Sequence, residues 1–234
     1  MTESVTLELR DGAIALIRMD DGKVNAFSHA LIDAVGAALD RAEKEAKAIV
    51  LLGRPERFSG GFDLKVMNQG GTAVVALVAA GARLAIRVYE CPLPVVIGCT
   101  GHAMAMGAVL LLAPDLRIGT RGDFKIALNE VAIGMTLPHF AMELARERLS
   151  PRHLVRATAL AEVYDPDGAV EAGFLDRVVG AEELEATAMA EAARLAAQLQ
   201  QPAHRATKRR LREASAARLH DSLSAAADPS SDLG

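Results

Sequence analysis

Two short, unbroken apolar runs constrain this chain more than any other feature. "AIVLLG" (Ala48–Gly53) and "LPVVIGCTG" (Leu93–Gly101) carry apolar residues at consecutive positions, bounded by Gly and Pro. That is the pattern of a strand covered on both faces, as in a parallel sheet flanked by helices. Each run leads into a glycine-bearing turn, "GRPERFSGGFDL" after the first and "GCTGHAMAMG" after the second. The fold they imply is α/β, with a layer of helices on the sheet.

The remaining segments supply those helices. "VNAFSHALIDAVGAALDRAEKEA" has helical apolar spacing from a Ser28 cap to about Ala46, and "TAVVALVAAGARLAIRVYEC" (Thr72–Cys91) reads as a long amphipathic helix. "AMAMGAVLLLAPD" (Ala103–Asp115) reads as a helix directly after the second apolar run. "VTLELRDGAIALIRMDD" has two alternating runs joined at Asp11–Gly12, a hairpin pattern, and "LRIGT" and "DFKIAL" give two short strands. Past Pro138 the pattern is almost wholly helical, and the small, polar end "AAADPSSDLG" is expected to fray. The domain reading is a core over 1–180, a helical region over 181–222 and a frayed tail over 223–234. No internal repeat or low-complexity linker interrupts it.

Composition narrows the class. Aromatics make up 3% of the chain and Trp is absent, so Ala, Leu and Val must fill the core, which favours closely packed helices. A net charge of -4 and a pI near 5.9 argue against a nucleic-acid surface. The one basic cluster, "HRATKRRLRE" (His204–Glu213), reads first as a solvated helix face and second as a seat for a phosphate-bearing ligand. Cys91 and Cys99 lack metal-like spacing and read as buried free thiols in a reducing compartment. The first residues contain no apolar signal region, and no stretch reads as long and clean enough to span a bilayer; Met104–Ala113 comes nearest. The expectation is a soluble, cytoplasmic protein without membrane or nucleic-acid partners.

Candidate chemistry gathers at the two glycine turns. In open α/β sheets ligands sit at the carboxyl ends of strands. Backbone N–H groups converging there from two loops would form an oxyanion hole. From pattern alone the same turns are more readily explained as simple strand–helix connections. Neither matches the dinucleotide fingerprint or the P-loop, so nothing supports hydride transfer or nucleotide hydrolysis. A third segment, "KIALNEVAIGM" (Lys125–Met135), sets Glu130 among apolar residues. Buried there, its carboxyl would titrate upward into a range useful for proton transfer; the commoner arrangement, favoured by pattern alone, is a surface glutamate pointing away from the core.

Taken together, these segments resemble the crotonase superfamily, the enoyl-CoA hydratases and isomerases. "FSGGFDL" looks like its F-x-A-G-x-D-L loop, and "GHAMAMGAVLLLAPDLRIGT" is similar to its G-x-A-x-G-G-G-x-x-L-x-x-x-x-D-x-R-I segment. "DGKVNAFSHALIDAV" and "AVEAGFLDRVV" resemble two further segments, all four in collinear order between about residues 5 and 212. The resemblance implies a spiral of repeated ββα units closed by C-terminal helices that build a homotrimer or a dimer of trimers. It implies an acyl-CoA substrate, with coenzyme A part of that substrate and no other cofactor or metal. Carried over by position, the oxyanion N–H groups belong to Phe62 and Met106. Coenzyme A would lie along Lys23, Val24 and Ala26 and along Gly60, Asp63 and Leu64.

Two departures from the pattern matter. Hydratases of this family use two glutamates to activate water; one maps to Glu130, but the other position holds Val109. "LNEVAIG" instead resembles the L-N-E-x-x-(L/I)-G stretch of Δ3,Δ2-enoyl-CoA isomerases, which work with one glutamate. Ala105 and Met106 also replace family glycines, a change expected to reshape the acyl pocket. The leading expectation is therefore an isomerase of 3-enoyl-CoA. The alternatives are hydration of 2-enoyl-CoA, with His102, Asn129, His139, Thr136 or Ser59 as weak polar helpers, and an acyl-CoA-binding homologue with little catalysis.

Overall fold

The computed structural model describes residues 3–10 and 13–226. In chain order the first half contains β1 (Val5–Arg10), β2 (Ile14–Met19), α1 (His29–Glu45), β3 (Ala48–Leu52), β4 (Glu56–Ser59), α2 (Leu64–Met67) and α3 (Gly71–Glu90). Then come β5 (Val95–Cys99), β6 (Gly101–Met104), α4 (Met106–Leu111), β7 (Leu116–Thr120), β8 (Ile126–Ala127) and a 3-10 turn at Val131–Ile133. The last third holds α5 (His139–Arg148), α6 (Pro151–Ala157), α7 (Pro166–Ala172), β9 (Arg177–Val179), α8 (Leu184–Gln198) and α9 (Gln201–Ala226).

The strands form two sheets. Six lie in the order β1-β2-β3-β5-β7-β9, antiparallel only between β1 and β2 and parallel thereafter. Three short parallel strands, β4-β6-β8, make the second sheet. Each first strand of a pair (β3, β5, β7) enters the large sheet, each second strand (β4, β6, β8) enters the small one, and helix follows. This is the expected ββα spiral. The expected hairpin pairs Val5 with Met19 and Arg10 with Ile14; its turn at Asp11–Gly12 lies outside the described residues.

The apolar runs are continuous because both sheet faces are covered. Ile17, Ile49, Leu51, Val95 and Ile97 join the larger core with α1 and α3, while the alternate residues Leu16, Val50, Leu52 and Val96 pack on Leu184, Ala188 and Ala192 of α8. Alanine at those helix positions lets α8 lie close against the strands. Ser28 caps α1 as expected, its Oγ accepting from Leu31 N at 3.3 Å.

Several sequence expectations are corrected. The second apolar run holds β5, with a further strand, β6, starting at its last residue, Gly101; the segment Ala103–Asp115, read as a helix, opens with the end of β6, and its helix runs only from Met106 to Leu111. The stretch Glu56–Ser59 is itself a strand rather than part of the turn, and β9 interrupts the helical third. α9 runs through Ala226; residues 227–234, most of the tail expected to fray, lie outside the described residues. By length and composition α3 is apolar enough to cross a bilayer, against the reading above; here more than half of it is buried, against α1, α2, α4 and α9.

The basic cluster is only partly a solvated face. Lys208 and Arg212 turn inward, and their Nζ and Nη2 reach the two oxygens of Asp115 at 2.7 and 3.0 Å. Arg212 also lies over the Tyr89 ring at 4.3 Å, and Tyr89 Oη meets Ser215 Oγ at 2.8 Å. This cluster fastens α9 to α3 and to the turn after α4. Both cysteines are buried free thiols, and burial pushes Cys91 up to about 11 and Cys99 up to about 12.

Candidate active site

The two glycine turns meet. After β4 the chain passes through Gly60 and Gly61, the latter at φ +96°. A parallel bridge then joins Phe62 to Phe27: Phe27 N–H donates to Gly61 O at 2.8 Å, and Asp63 N–H donates to Phe27 O at 3.1 Å. In such a bridge the intervening N–H, that of Phe62, faces away from the partner strand. Asp63 then caps α2, its Oδ1 accepting from Lys65 N at 2.9 Å.

The second turn places Met106 alongside. Ala105 N–H donates to Ala127 O at 2.9 Å, tying the turn to β8, and Ala105 itself adopts φ 47°, ψ -120°. A residue with a Cβ in that region costs about 1–3 kcal/mol and persists where the surroundings enforce it. Here it starts α4 at Met106, whose N atom lies 3.7 Å from the Cβ position of Gly61. Neither the Phe62 N–H nor the Met106 N–H donates to an acceptor among the described residues. The two turns thus bring adjacent backbone donors to one place, as an oxyanion hole requires.

Glu130 reaches the same region by way of β8. Ala127, hydrogen-bonded to Ala105, is three residues from Glu130, a span of at most about 10 Å. The side chain is not a surface glutamate: the residue is 7% exposed, and its Oε2 is buried with no hydrogen-bond partner. Desolvation pushes the carboxyl up to about 7. The Glu130 carbonyl accepts from Ile133 and Met135 N–H at 3.1 and 2.9 Å, which holds the turn that carries the carboxyl. Val109, in α4, is buried among apolar residues. Asn129 Oδ1 is a second buried oxygen without a partner. His102 Nδ1 accepts from Lys125 N at 3.0 Å, its ring edge-on to Phe124.

The loop carrying Lys23, Val24 and Ala26 is stitched to the first turn. Asp21 accepts from the N–H groups of Lys23 (2.7 Å), Asn25 (2.9 Å) and Ala26 (3.1 Å). Gly60 N–H donates to Val24 O at 2.8 Å, and Ser59 Oγ donates to Asn25 O at 2.7 Å. Asn25, which sequence reasoning did not single out, organises this seam: fully buried at φ 52°, its Nδ2 donates to Met19 O (2.9 Å), Phe58 O (3.2 Å) and Arg57 O (3.3 Å). The signal available was an amide in "VNAF" amid apolar neighbours. Lys23, Val24, Gly60 and Leu64 are exposed, the last by 67%, so this seam is an accessible strip beside the Phe62 turn. No group of three or more His, Cys, Asp or Glu side chains comes together as a metal-ligand set among the described residues.

Comparison with known proteins identifies the family. The family model described as enoyl-CoA hydratase/isomerase matches residues 10–232. The chain is 29% identical over 224 residues to human mitochondrial enoyl-CoA delta isomerase 1, covering 93% of this chain and 74% of the relative. It is also 29% identical over 154 residues to a probable enoyl-CoA hydratase of Bacillus subtilis, covering 64% and 57%. Among solved structures, an enoyl-CoA hydratase/isomerase family protein from Pseudomonas syringae superposes with a TM-score of 0.92 at 45% identity, covering 94% of this chain and 95% of that one.

Proposed function

The chain belongs to the enoyl-CoA hydratase/isomerase family, and we propose that within it the protein converts 3-enoyl-CoA to 2-trans-enoyl-CoA. The observation that carries this reading is Glu130. It is a buried carboxyl with an unpartnered oxygen, held near 7, while α4 offers apolar Val109 where the hydratase pattern has its other glutamate.

Ionised Glu130 takes a proton from C2, and the electron pair delocalises through the thioester to give a dienolate. The enolate oxygen accepts hydrogen bonds from the Phe62 and Met106 N–H groups; one such donor contributes about 3–4 kcal/mol to lowering the barrier. Protonated Glu130 then delivers the proton to C4, and the double bond moves from C3–C4 to C2–C3. The proton count is unchanged and no co-reactant is consumed. Coenzyme A lies along Lys23, Val24, Ala26, Gly60, Asp63 and Leu64. The same reading includes assembly as a homotrimer or dimer of trimers, which a monomer in sedimentation at micromolar concentration would remove.

Hydration of 2-enoyl-CoA is the second reading. It is favoured by Asn129 Oδ1, a buried polar atom without a partner, next to Glu130 in the chain and able to hold a water. Incubation with 3-hexenoyl-CoA and with crotonyl-CoA separates the two. Isomerisation predicts turnover of the first, lost about a thousandfold in Glu130→Gln. Turnover of crotonyl-CoA alone would overturn it in favour of hydration.

A further inference from the structure

We propose that the Phe62 ring and the Met106 thioether, seated together on Gly81 of α3, form the floor of the acyl pocket and restrict the enzyme to short acyl chains. The inference rests on the acyl-CoA reading above and concerns the side chains of the two residues whose backbone makes the hole.

A thioester carbonyl held by the Phe62 and Met106 N–H groups carries its acyl chain on the same carbon. The side chains nearest the first carbons of that chain are therefore those of the same two residues. Both converge on one spot. The position a Cβ would take on Gly81 lies 2.5 Å from Phe62 Cε1 and Cζ and 3.4 Å from Met106 Sδ.

Gly81 sits in the middle of a 20-residue helix, where glycine costs about 1 kcal/mol relative to alanine. The ring seated there accounts for it: any side chain at 81 would collide with Phe62. Met106 is fully buried and Phe62 half-buried, so the pair fills the space between the hole and α3 rather than projecting into solvent. The resembled family pattern has glycine at position 106, which leaves that space open; here a four-atom side chain occupies it. Pocket length is thus set by two side chains that leave the backbone donors intact.

The test is the ratio of kcat/KM for 3-hexenoyl-CoA over 3-dodecenoyl-CoA, together with the ratio of the dissociation constant of dodecanoyl-CoA over that of hexanoyl-CoA. The wild type is expected to favour the six-carbon chain by about tenfold or more, the scale set by a few methylenes in an apolar pocket. Met106→Ala and Phe62→Leu should each shrink both ratios severalfold. Gly81→Ala, which pushes the ring toward the hole, should enlarge them. Equal use of both chain lengths by the wild type, or ratios unchanged in all three variants, would overturn the proposal. Absence of turnover with intact binding would remove the isomerase reading instead, and the binding ratios would still decide the pocket.

Discussion

Gly61 and Ala105 stand back to back where the two turns meet: a Cβ on Gly61 would lie 3.0 Å from Ala105 Cβ and 3.1 Å from Met104 O. One turn has room for a methyl group only because the other has none. Gly61→Ala adds a strained φ of +96° to this collision. It is expected to lower stability by about 2 kcal/mol or more in denaturant unfolding and to weaken acyl-CoA binding. Adding Ala105→Gly removes the opposing methyl. The double variant should be less destabilised than the sum of the single ones by at least about 0.5 kcal/mol, the coupling expected of residues in contact.

Glu130 makes stability fall with rising pH. Its carboxyl titrates at about 7 in the fold, against an ordinary value of 4.5. Between those values the unfolded chain has released the proton that the folded chain still holds. The stabilisation is complete below about pH 4.5 and is lost as pH rises through about 7, with an upper bound of about 3–4 kcal/mol. Glu130→Gln should flatten this slope and raise the midpoint of unfolding at pH 8. In the wild type, kcat/KM for 3-hexenoyl-CoA should rise about tenfold per pH unit below 7 and level off above it, because the base acts ionised.

Asn25 couples the strip to the hole. Asn25→Ala removes the buried amide that serves three carbonyls, at about 1 kcal/mol for each hydrogen bond lost. It also puts alanine at φ 52°, which asparagine tolerates better. Expected are a loss of about 3 kcal/mol in unfolding free energy and a KM for acyl-CoA raised more than kcat is lowered.

Asp115 holds the α9 staple. Asp115→Asn leaves Lys208 and Arg212 buried without a counter-charge, and breaking a buried pair in this way costs about 3–5 kcal/mol. Thermal unfolding should shift down markedly. Asp115→Asn combined with Lys208→Met should recover part of that loss.

Much of this was legible in the sequence, for identifiable reasons. The runs at Ala48–Gly53 and Leu93–Gly101 announce strands because both faces of β3 and β5 are covered, and the Gly60–Gly61 pair announces a backbone that another segment approaches closely. The second sheet was not legible. β4, β6 and β8 are two to four residues long, and their conformation is set by pairing with one another rather than by local preference. Ala103 and Met104 of β6 therefore read as the start of a helix. The burial of Glu130 was hidden for the same reason, since it depends on where β8 ends beside Ala105. Lys208 and Arg212 looked solvated because the acid that draws them inward, Asp115, lies some 90 residues earlier in the chain.

The central claim, that one sequestered carboxyl moves a proton from C2 to C4, is tested most directly by following 3-hexenoyl-CoA labelled with deuterium at C2. Glu130 is buried and its oxygen meets no competing partner, so the account predicts that part of the label appears at C4 of the 2-trans product before it exchanges with water. Turnover that places no label at C4 at the earliest times, or a Glu130→Gln variant that isomerises at the wild-type rate, would contradict it.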